Sequence, residues 1–503
     1  MLIIKSMKKI LIFILCVCVC FSALSKEPDS FKLNLIHTND LHSHLLPFND
    51  LSDCSMDSDC LGGFARIITF MEKEKSPNTL ILDAGDRFTG TAFYTLFKSK
   101  FLLPLFQKMP YDAINLGNHE FDDNLSETVS FLKKWPVPVV VANLKIDPKE
   151  DLFSLVKPSI VIEKENRKIG IIGLLTQETM VLGNEDISVL PFSDALTKEI
   201  ESLKKQGVNI IIVLSHIGLD EDKKLAQQFP DIDIIVGGHS HSLLSNDSSI
   251  SYASGPYPIS EGKTLIVSAG MGGRFVGKLE ADFNMAGEII KYRGNTIPMN
   301  NQIPNNPAAE RFINEAQKDM NAVLNEQITT FEKSFGFTPG TDYCSENCAV
   351  GTYLAETLHS AYPSVDGVLL NAGAIRRGFA AGPVSYRDLI EAYPFDNDAV
   401  LIQLTGKELK EYLAHGIAKY HKKGKTNEML QTAGVKYDFS KEDKKITKVE
   451  INGKQIQPDK TYTFLTSSFL ANGGDKYPKK AYQKVGHTVR EILKSQMRKS
   501  AGK

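Results

Sequence analysis

The sequence predicts an α/β protein of two domains, and three observations carry that prediction. Apolar runs rich in β-branched residues alternate with helical patterns from about Phe31 to Asn300, which indicates a layered α/β sandwich. Residues 305–327 carry apolar side chains at helical spacing and predict a connecting helix. After Phe335, turns rich in Gly, Tyr and Phe lead into a second α/β set. We therefore predict segments at residues 1–25, 26–304, 305–334 and 335–503.

The first segment has the features of a cleaved signal peptide. Lys8 and Lys9 precede the apolar run ILIFILCVCVCF, and Ala23-Leu24-Ser25 offers a cleavage site between small residues. The rival interpretation is a membrane anchor, but the run is shorter than the roughly 20 residues of a spanning helix. The basic ending REILKSQMRKSAGK is not a glycolipid-anchor signal. We expect a secreted or periplasmic protein with no stable membrane anchor.

Composition and cysteine usage agree with an exported globular protein. The 503 residues are 42% hydrophobic, and the net charge of -2 gives no indication of a nucleic-acid polymer as partner. Four cysteines lie outside the first segment, in two close pairs. An oxidising compartment favours disulfides between Cys54 and Cys60 and between Cys344 and Cys348. A zinc site is the alternative, and it requires the two distant pairs to converge.

Five short polar clusters each follow an apolar run in the first half of the chain. The runs are LNLI, TLILDA, AINL, NIIIVL and DIIV, and the clusters are Asp40-Leu41-His42, Gly85-Asp86, Gly117-Asn118-His119-Glu120, Ser215-His216 and Gly237-Gly238-His239-Ser240-His241. A single Gly-Asn or Gly-His turn is most often backbone punctuation. Repetition at five strand ends instead favours one shared site. Carboxylate, imidazole and amide ligands suit two divalent cations about 3.5–4 Å apart, which can clamp a phosphoryl displacement.

The clusters and later motifs resemble the 5′-nucleotidase family, which includes ecto-5′-nucleotidases, bacterial UDP-sugar hydrolases and secreted apyrases. HTNDLHSH, DAGDRFTGT, NLGNHEFD, LSHIG and GGHSH resemble its metallophosphatase half, and NAGAIRRGF, YPFDND and SSFLANGGDKY resemble its nucleotide-binding half. The resemblance covers nearly the whole chain after the first segment. It implies a calcineurin-like metallophosphatase α/β sandwich followed by an α/β substrate-binding domain.

Ligand chemistry and the resemblance together assign the metal site. Asp40, His42 and His241 are expected to bind one metal, Asn118, His216 and His239 the second, and Asp86 both. The nucleophile is expected to be a water or hydroxide whose pKa the metals lower. The identity of the metals stays open between Zn²⁺, Mn²⁺ and similar ions.

His119 and Asp122 match the family's catalytic dyad. His119 is expected to stabilise charge on the transferred phosphoryl group or the leaving oxygen, and Asp122 to orient its imidazole. The alternative for Asp122 is a cap on the helix that begins near Asn124.

The second half supplies the residues expected to recognise a nucleotide. Phe395 and Tyr477 match the family's two stacking aromatics, although an aromatic after Pro394 is otherwise more often a core residue. The remaining matches are Asn371 and Arg376 for base, sugar or phosphate and Asn472 and Asp475 for the second loop and ribose. The loop from Cys344 to Cys348 lacks an arginine usual in the animal enzymes, and Arg377 is a candidate replacement.

These features predict a phosphohydrolase that uses two divalent metals and removes the 5′-phosphate of AMP-like nucleotides. Apyrase activity or UDP-sugar hydrolysis on the same scaffold is one alternative. A non-catalytic nucleotide-binding or adhesion protein is the alternative from another class. Because the metal ligands and the aromatics fall in different halves, relative rotation of the two domains is a further hypothesis. The oligomeric state cannot be inferred from the sequence.

Overall fold

The computed structural model describes residues 30–501, except residues 50–52, 57, 124, 180–186, 338–343, 345–347 and 419–428. The predicted signal peptide lies outside the described residues, and so does the loop between Cys344 and Cys348. Within the described part of the chain, no helix combines the length and the apolar character that crossing a membrane requires.

The N-terminal half is a sandwich of two sheets, which confirms the predicted layered α/β fold. Its first sheet has the strand order Ile289–Pro298, Phe275–Phe283, Phe31–Thr38, Thr79–Asp83, Ala113–Asn115, Val139–Val140 and Val156–Lys157. Its second sheet has the order Ile259–Glu261, Thr264–Val267, Ile234–Gly237, Ile210–His216, Arg167–Leu175 and Ser159–Lys164. The five predicted strands are present, three in the first sheet and two in the second, and within each sheet they run parallel.

Alternate residues of a strand point to opposite sides of its sheet, so each sheet has one apolar face that packs against the other sheet. Leu33 and Leu35 are fully buried in the layer between the sheets, where they join Ile171 and Ile212 of the second sheet. Ile36 points the other way and packs in an outer apolar layer. The helices of this half are Phe64–Glu74, Ala92–Phe106, Leu125–Lys134, Asp151–Leu155, Phe192–Lys205 and Leu219–Gln228. The parallel strands therefore bring their carboxyl ends to one edge of the sandwich.

A helix from Pro307 to Leu324 connects the two halves, as the apolar spacing predicts. Asn306 caps it by accepting hydrogen bonds from the backbone N–H groups of Ala308 and Ala309, and proline is suited to the first helical turn. The ring of Phe312 stacks on Phe101 at 4.7 Å between centroids, so the helix packs against the N-terminal half. The exact domain boundaries stay predictions.

The C-terminal half is built on a five-stranded mixed sheet. Its strand order is Leu430–Ala433, Gly367–Asn371, Thr461–Ser467, Asp398–Thr405 and Tyr482–Thr488, and a smaller sheet contains Val435–Ser440, Lys445–Ile451 and Lys454–Gln455. Leu369 lies in the apolar layer on one face and Leu370 in the layer on the other. The helices are Ala349–Ala361, Tyr386–Ala392, Gly406–Ala418, Ser468–Ala471 and Val489–Ala501. Three two-stranded sheets complete the fold, pairing Pro47–Phe48 with Leu61–Gly62, Leu144–Ile146 with Ile187–Val189, and Gln327–Phe331 with Gly382–Ser385.

Both predicted disulfides are formed. Cys54 is bonded to Cys60 and Cys344 to Cys348, so each bridge closes a loop within its own half. The alternative of a shared zinc site is thereby wrong, because all four sulfurs are already bonded.

Arg377 joins the two halves rather than lining a ligand site. This guanidinium is buried, and its Nη2 donates a hydrogen bond to Oδ1 of Asp53 over 2.9 Å. On the same face of the interface, the backbone N–H of Ala92 donates to Oε1 of Glu391 over 2.6 Å. The suggestion that Arg377 replaces the missing arginine of the Cys344–Cys348 loop is therefore not supported.

Candidate metal centre and active site

The residues predicted to bind metal lie just beyond the strand ends on strained backbone. Five of them have positive φ angles: Asp40 at 50°, His42 at 46°, Asp86 at 57°, His239 at 73° and His241 at 53°. Residues other than glycine rarely adopt this conformation, and it persists only where the surrounding structure enforces it. Here it turns side chains from both sheets toward one point.

Asp40, His42 and His241 form the first cluster, with ligand atoms that all lie within 4.8 Å of one another. Nε2 of His42 is 3.0 Å from Nε2 of His241, and Nε2 of His241 is 3.7 Å from Oδ1 of Asp40. Nδ1 of His42 lies 3.0 Å from the backbone oxygen of Thr89. Because a carbonyl only accepts, the hydrogen of the neutral imidazole is assigned to Nδ1, which leaves a lone pair on Nε2.

Asp86 is the centre of the arrangement and is fully buried. Its Oδ2 lies 3.1 Å from Nε2 of His216, 3.7 Å from Nε2 of His42 and 3.9 Å from Nε2 of His119. Burial by itself raises the pKa of a carboxyl, but the facing His216 and His119 hold the pKa of Asp86 well below its usual range. An anion therefore stands between the imidazoles.

Asp86, His216 and His239 form the second cluster, again within 4.8 Å. Nδ1 of His239 lies 3.0 Å from Oδ1 of Asn118, so the amide joins the same group. Gly117 is required beside it, because a Cβ at that position would lie 2.1 Å from Oδ1 of Asp86.

The chemistry of these donors fits two divalent cations. Imidazole nitrogen, carboxylate oxygen and amide oxygen are ligands of zinc, manganese and related ions. The lone pair of His42 faces both the carboxylate of Asp86 and the ring nitrogen of His241. Acceptors that face each other repel, whereas a cation between them satisfies both.

His119 is held beside this centre by a group from each half of the chain. Its Nδ1 is 2.6 Å from Oδ2 of Asp122, and its Nε2 is 2.9 Å from Nη2 of Arg376. Burial lowers the pKa of His119, but Asp122 and Asp86 outweigh it and the net shift is upward. The imidazole of His119 and the guanidinium of Arg376 thus converge next to the predicted metal ligands.

A cavity of about 1200 Å³ opens from the metal centre between the two halves. On the N-terminal side it is lined by Asp86, Asn118, His119, Asp122, His239 and His241, and by residues 251–254. On the C-terminal side Asn371, Arg376, Phe395 and Asp475 line it, as predicted. Nδ2 of Asn371 donates to Oδ2 of Asp475 over 2.9 Å, and the guanidinium of Arg376 lies 5.4 Å from the ring centre of Phe395.

Tyr477 and Asn472 do not lie among the residues that line the cavity. The ring of Tyr477 is only 2% exposed and packs against His415 and Tyr412, at 4.5 and 5.4 Å between ring centres. Nδ2 of Asn472 lies 3.4 Å from the hydroxyl of Tyr482. The stacking role of Tyr477 and the ribose contact of Asn472 stay predictions, and neither side chain lines the cavity in this structure.

Phe469 and Glu178 are among the cavity residues that the sequence motifs did not single out. Phe469 lines the cavity and covers Gly474, where an added Cβ would lie 2.2 Å from the ring. It lies within SSFLANGGDKY, so the motif itself held the signal. Glu178 follows the buried strand Arg167–Leu175, a sixth strand end whose polar sequence Thr176-Gln177-Glu178 repeats the pattern of the other five.

The strand-end clusters and the sandwich define a metal-dependent phosphoesterase, and comparison with known proteins places the chain within that class. Residues 33–243 match the calcineurin-like phosphoesterase family, and residues 327–482 match the 5′-nucleotidase, C-terminal domain family. An apyrase of Tabanus yao is 32% identical over 93% of this chain and 92% of its own length. The 5′-nucleotidase of Homo sapiens is 30% identical over 89% of this chain and 84% of its own length.

Comparison with solved structures supports the same family. The crystal structure of a 5′-nucleotidase precursor from Thermus thermophilus superposes with a TM-score of 0.83 and 28% identity, covering 94% of this chain and 97% of that one. The chain belongs to the 5′-nucleotidase family.

Proposed function

We propose that this protein is a nucleotide phosphohydrolase with two divalent metals, and that its main reaction removes the 5′-phosphate of AMP-like nucleotides. The observation that carries the proposal is the single cavity in which the two ligand clusters around Asp86 face Arg376 and Phe395 of the other half. A nucleotide whose phosphate binds at the clusters and whose base binds at Phe395 needs both sites in one cavity.

The proposed ligand sets follow the two clusters. Asp40, His42 and His241 hold one metal, and Asn118, His216 and His239 hold the other, with Asp86 contacting both. We infer Zn²⁺ or Mn²⁺, because four imidazoles exceed what Mg²⁺ or Ca²⁺ sites use. When bound, such a pair activates a water as nucleophile and stabilises the charge of the displacement.

His119 and Arg376 stabilise the charge that develops on the phosphoryl group. Both are partly buried and line the cavity beside Asp86, and Nη2 of Arg376 donates a hydrogen bond to Nε2 of His119 over 2.9 Å. Asp122 is the positioning residue of the pair, since it accepts a hydrogen bond from Nδ1 of His119 and so holds Nε2 beside Arg376. Preorganised donors of this kind act without reorganisation cost in a water-poor site.

Phe395 and Phe469 form the proposed platform for the base, since both are partly buried and line the C-terminal wall of the cavity. Stacking accepts any base, so it sets nucleotide class rather than base identity. Asn371 and Asp475 line the same wall, are hydrogen-bonded to each other and are proposed to contact the ribose.

Apyrase activity is the second candidate, favoured by the relatives from Tabanus yao and Anopheles gambiae that are named apyrase and by the cavity size. A volume of about 1200 Å³ exceeds that of a drug-sized pocket, so longer phosphate chains or UDP-sugars fit as well. The two disulfides support residence in an oxidising compartment, consistent with secretion or a periplasmic location.

The deciding experiment is a substrate panel. Phosphate release from AMP, ADP, ATP and UDP-glucose is measured after chelation and after adding Mn²⁺ or Zn²⁺. We expect metal-dependent turnover, fastest with AMP, and loss of metal and activity together in Asp86→Asn. The surface variant Asp231→Asn is the matched control. Full activity in metal-free protein would contradict the two-metal mechanism, and nucleotide binding without turnover would support the non-catalytic alternative.

A further inference from the structure

Glu178 links the metal centre to the other half of the chain through its two carboxylate oxygens. Oε2 lies 3.2 Å from Nε2 of His239, and Oε1 lies 2.9 Å from Nζ of Lys476. The carboxylate is 18% exposed, and its backbone N–H donates to Oγ1 of Thr176 over 3.3 Å. The side chain is thus held at the cavity wall, between a proposed metal ligand and a C-terminal lysine.

The contact with Glu178 indicates which nitrogen of His239 would be available to a metal. An ionised carboxylate only accepts hydrogen bonds, so the imidazole hydrogen is assigned to Nε2 and the lone pair to Nδ1. Nδ1 is the nitrogen that lies 3.0 Å from Oδ1 of Asn118, another proposed ligand of the second metal. Without Glu178 both the ring flip and the other tautomer become available.

We propose that Glu178 is a positioning residue of the second metal site, and that Lys476 couples this site to the nucleotide-recognition segment. The inference rests on the metal centre proposed above and adds to it a group outside the ligand set. A carboxylate that orients a metal-binding imidazole typically contributes about 10–100-fold to metal affinity.

Lys476 belongs to a segment whose backbone is itself strained. Asp475 and Lys476 have positive φ angles of 53° and 61°, and Asp475 accepts a hydrogen bond from Asn371 in the proposed ribose site. The same short segment therefore contacts both the recognition residues and the ligand-orienting carboxylate. Because Lys476 is 54% exposed, solvent screens its ion pair with Glu178. We therefore expect Lys476 to contribute only about 1.5- to 5-fold to the affinity of the second metal site.

A double-mutant cycle on the full chain tests both parts, with the affinity for Mn²⁺ and Zn²⁺ measured by competition with a chelating dye. We expect Glu178→Gln to weaken the second metal by about 10–100-fold and to leave the first unchanged. Excess metal should then restore most of kcat with AMP. Lys476→Met should weaken the second metal by about 1.5- to 5-fold in the wild-type background and have no further effect in Glu178→Gln. Lys479→Met, an exposed lysine three residues along, is the control.

Thermal unfolding of the metal-free variants verifies that each is folded. Wild-type affinity for both metals in Glu178→Gln would overturn the positioning role. An effect of Lys476→Met that is equal in both backgrounds would overturn the coupling. A wild-type protein that binds fewer than two metals would instead overturn the proposed metal centre, so the two failures are distinguishable.

Discussion

Replacing Phe469 and Tyr477 separately by alanine distinguishes a nucleotide platform from a core residue. Phe469 lines the cavity, and loss of base stacking costs about 1–3 kcal/mol, which corresponds to a rise of about 5- to 150-fold in KM for AMP. Tyr477 is 2% exposed and packed against Tyr412 and His415. Truncating a buried aromatic costs about 3–5 kcal/mol of folding free energy, so Tyr477→Ala should lower Tm strongly.

The assay compares AMP with a small aryl phosphate, which needs only the metal centre. Phe469→Ala should raise KM for AMP, leave the aryl phosphate almost unchanged and keep the wild-type Tm. Tyr477→Phe is the matched control for its site, since it keeps the ring and removes one hydroxyl. It should change KM for AMP by less than about 2-fold, below the effect of a lost stacking contact.

Two results would refute this reasoning. If Phe469→Ala lowered turnover of both substrates equally, the ring would be supporting the metal centre rather than the base. If Tyr477→Ala kept the wild-type Tm while raising KM for AMP alone, Tyr477 would be the platform, as its motif predicts, and its packed position would not persist with nucleotide bound.

Three further predictions concern catalysis, backbone and pH. His119→Ala should lose about 10²–10³-fold in kcat, the usual cost of removing a charge-stabilising donor. Elemental analysis should find both metals still bound, and loss of a metal would show that His119 is a ligand. Gly117→Ala should reduce metal content and phosphate release, because its Cβ would lie 2.1 Å from Oδ1 of Asp86, while Gly336→Ala, with no atom within 4 Å, should behave as wild type. Burial raises the pKa of Asp233 from 3.8 to about 7, so this carboxyl stabilises the fold fully below pH 3.8 and loses that contribution as pH rises through 7. Relative to wild type, Asp233→Asn should therefore gain up to about 4 kcal/mol between pH 4 and 8 in unfolding titrations, and a constant difference would contradict the shift.

The metal centre could be predicted from the sequence because strand ends obey simple rules. Each apolar run forms a buried strand, and parallel strands place their carboxyl ends together, so residues as distant as Asp40 and His241 meet. The left-handed backbone at these positions could not be predicted, since Asp and His adopt it in only a small minority of cases, although more often than most residues do. The left-handed conformation is instead imposed by the tertiary structure, which turns these side chains toward the cluster.

The recognition site was harder to predict because its residues leave no periodic signal. Phe469 and Tyr477 lie in one motif, eight residues apart, on either side of Gly473 and Gly474. Which ring faces the cavity depends on the left-handed turn at Gly473 and Asp475, and on whether His415 of a different helix is near enough to bury the other. The turn and the contact with His415 depend on the tertiary structure, so the pattern of a single sequence does not predict them.

The contact of Arg376 with His119 explains why the two halves must act together. Their side chains lie 257 positions apart in the sequence, yet Nη2 and Nε2 are 2.9 Å apart at the metal centre. The N-terminal half alone supplies the proposed ligands and His119, and the C-terminal half supplies Arg376 and the proposed base platform. The charge-stabilising set is therefore complete only when the halves touch. The sequence also predicts relative rotation of the two halves. Such a rotation would break the contacts of Arg376 with His119 and of Lys476 with Glu178 together. The site would then come apart, and product could leave.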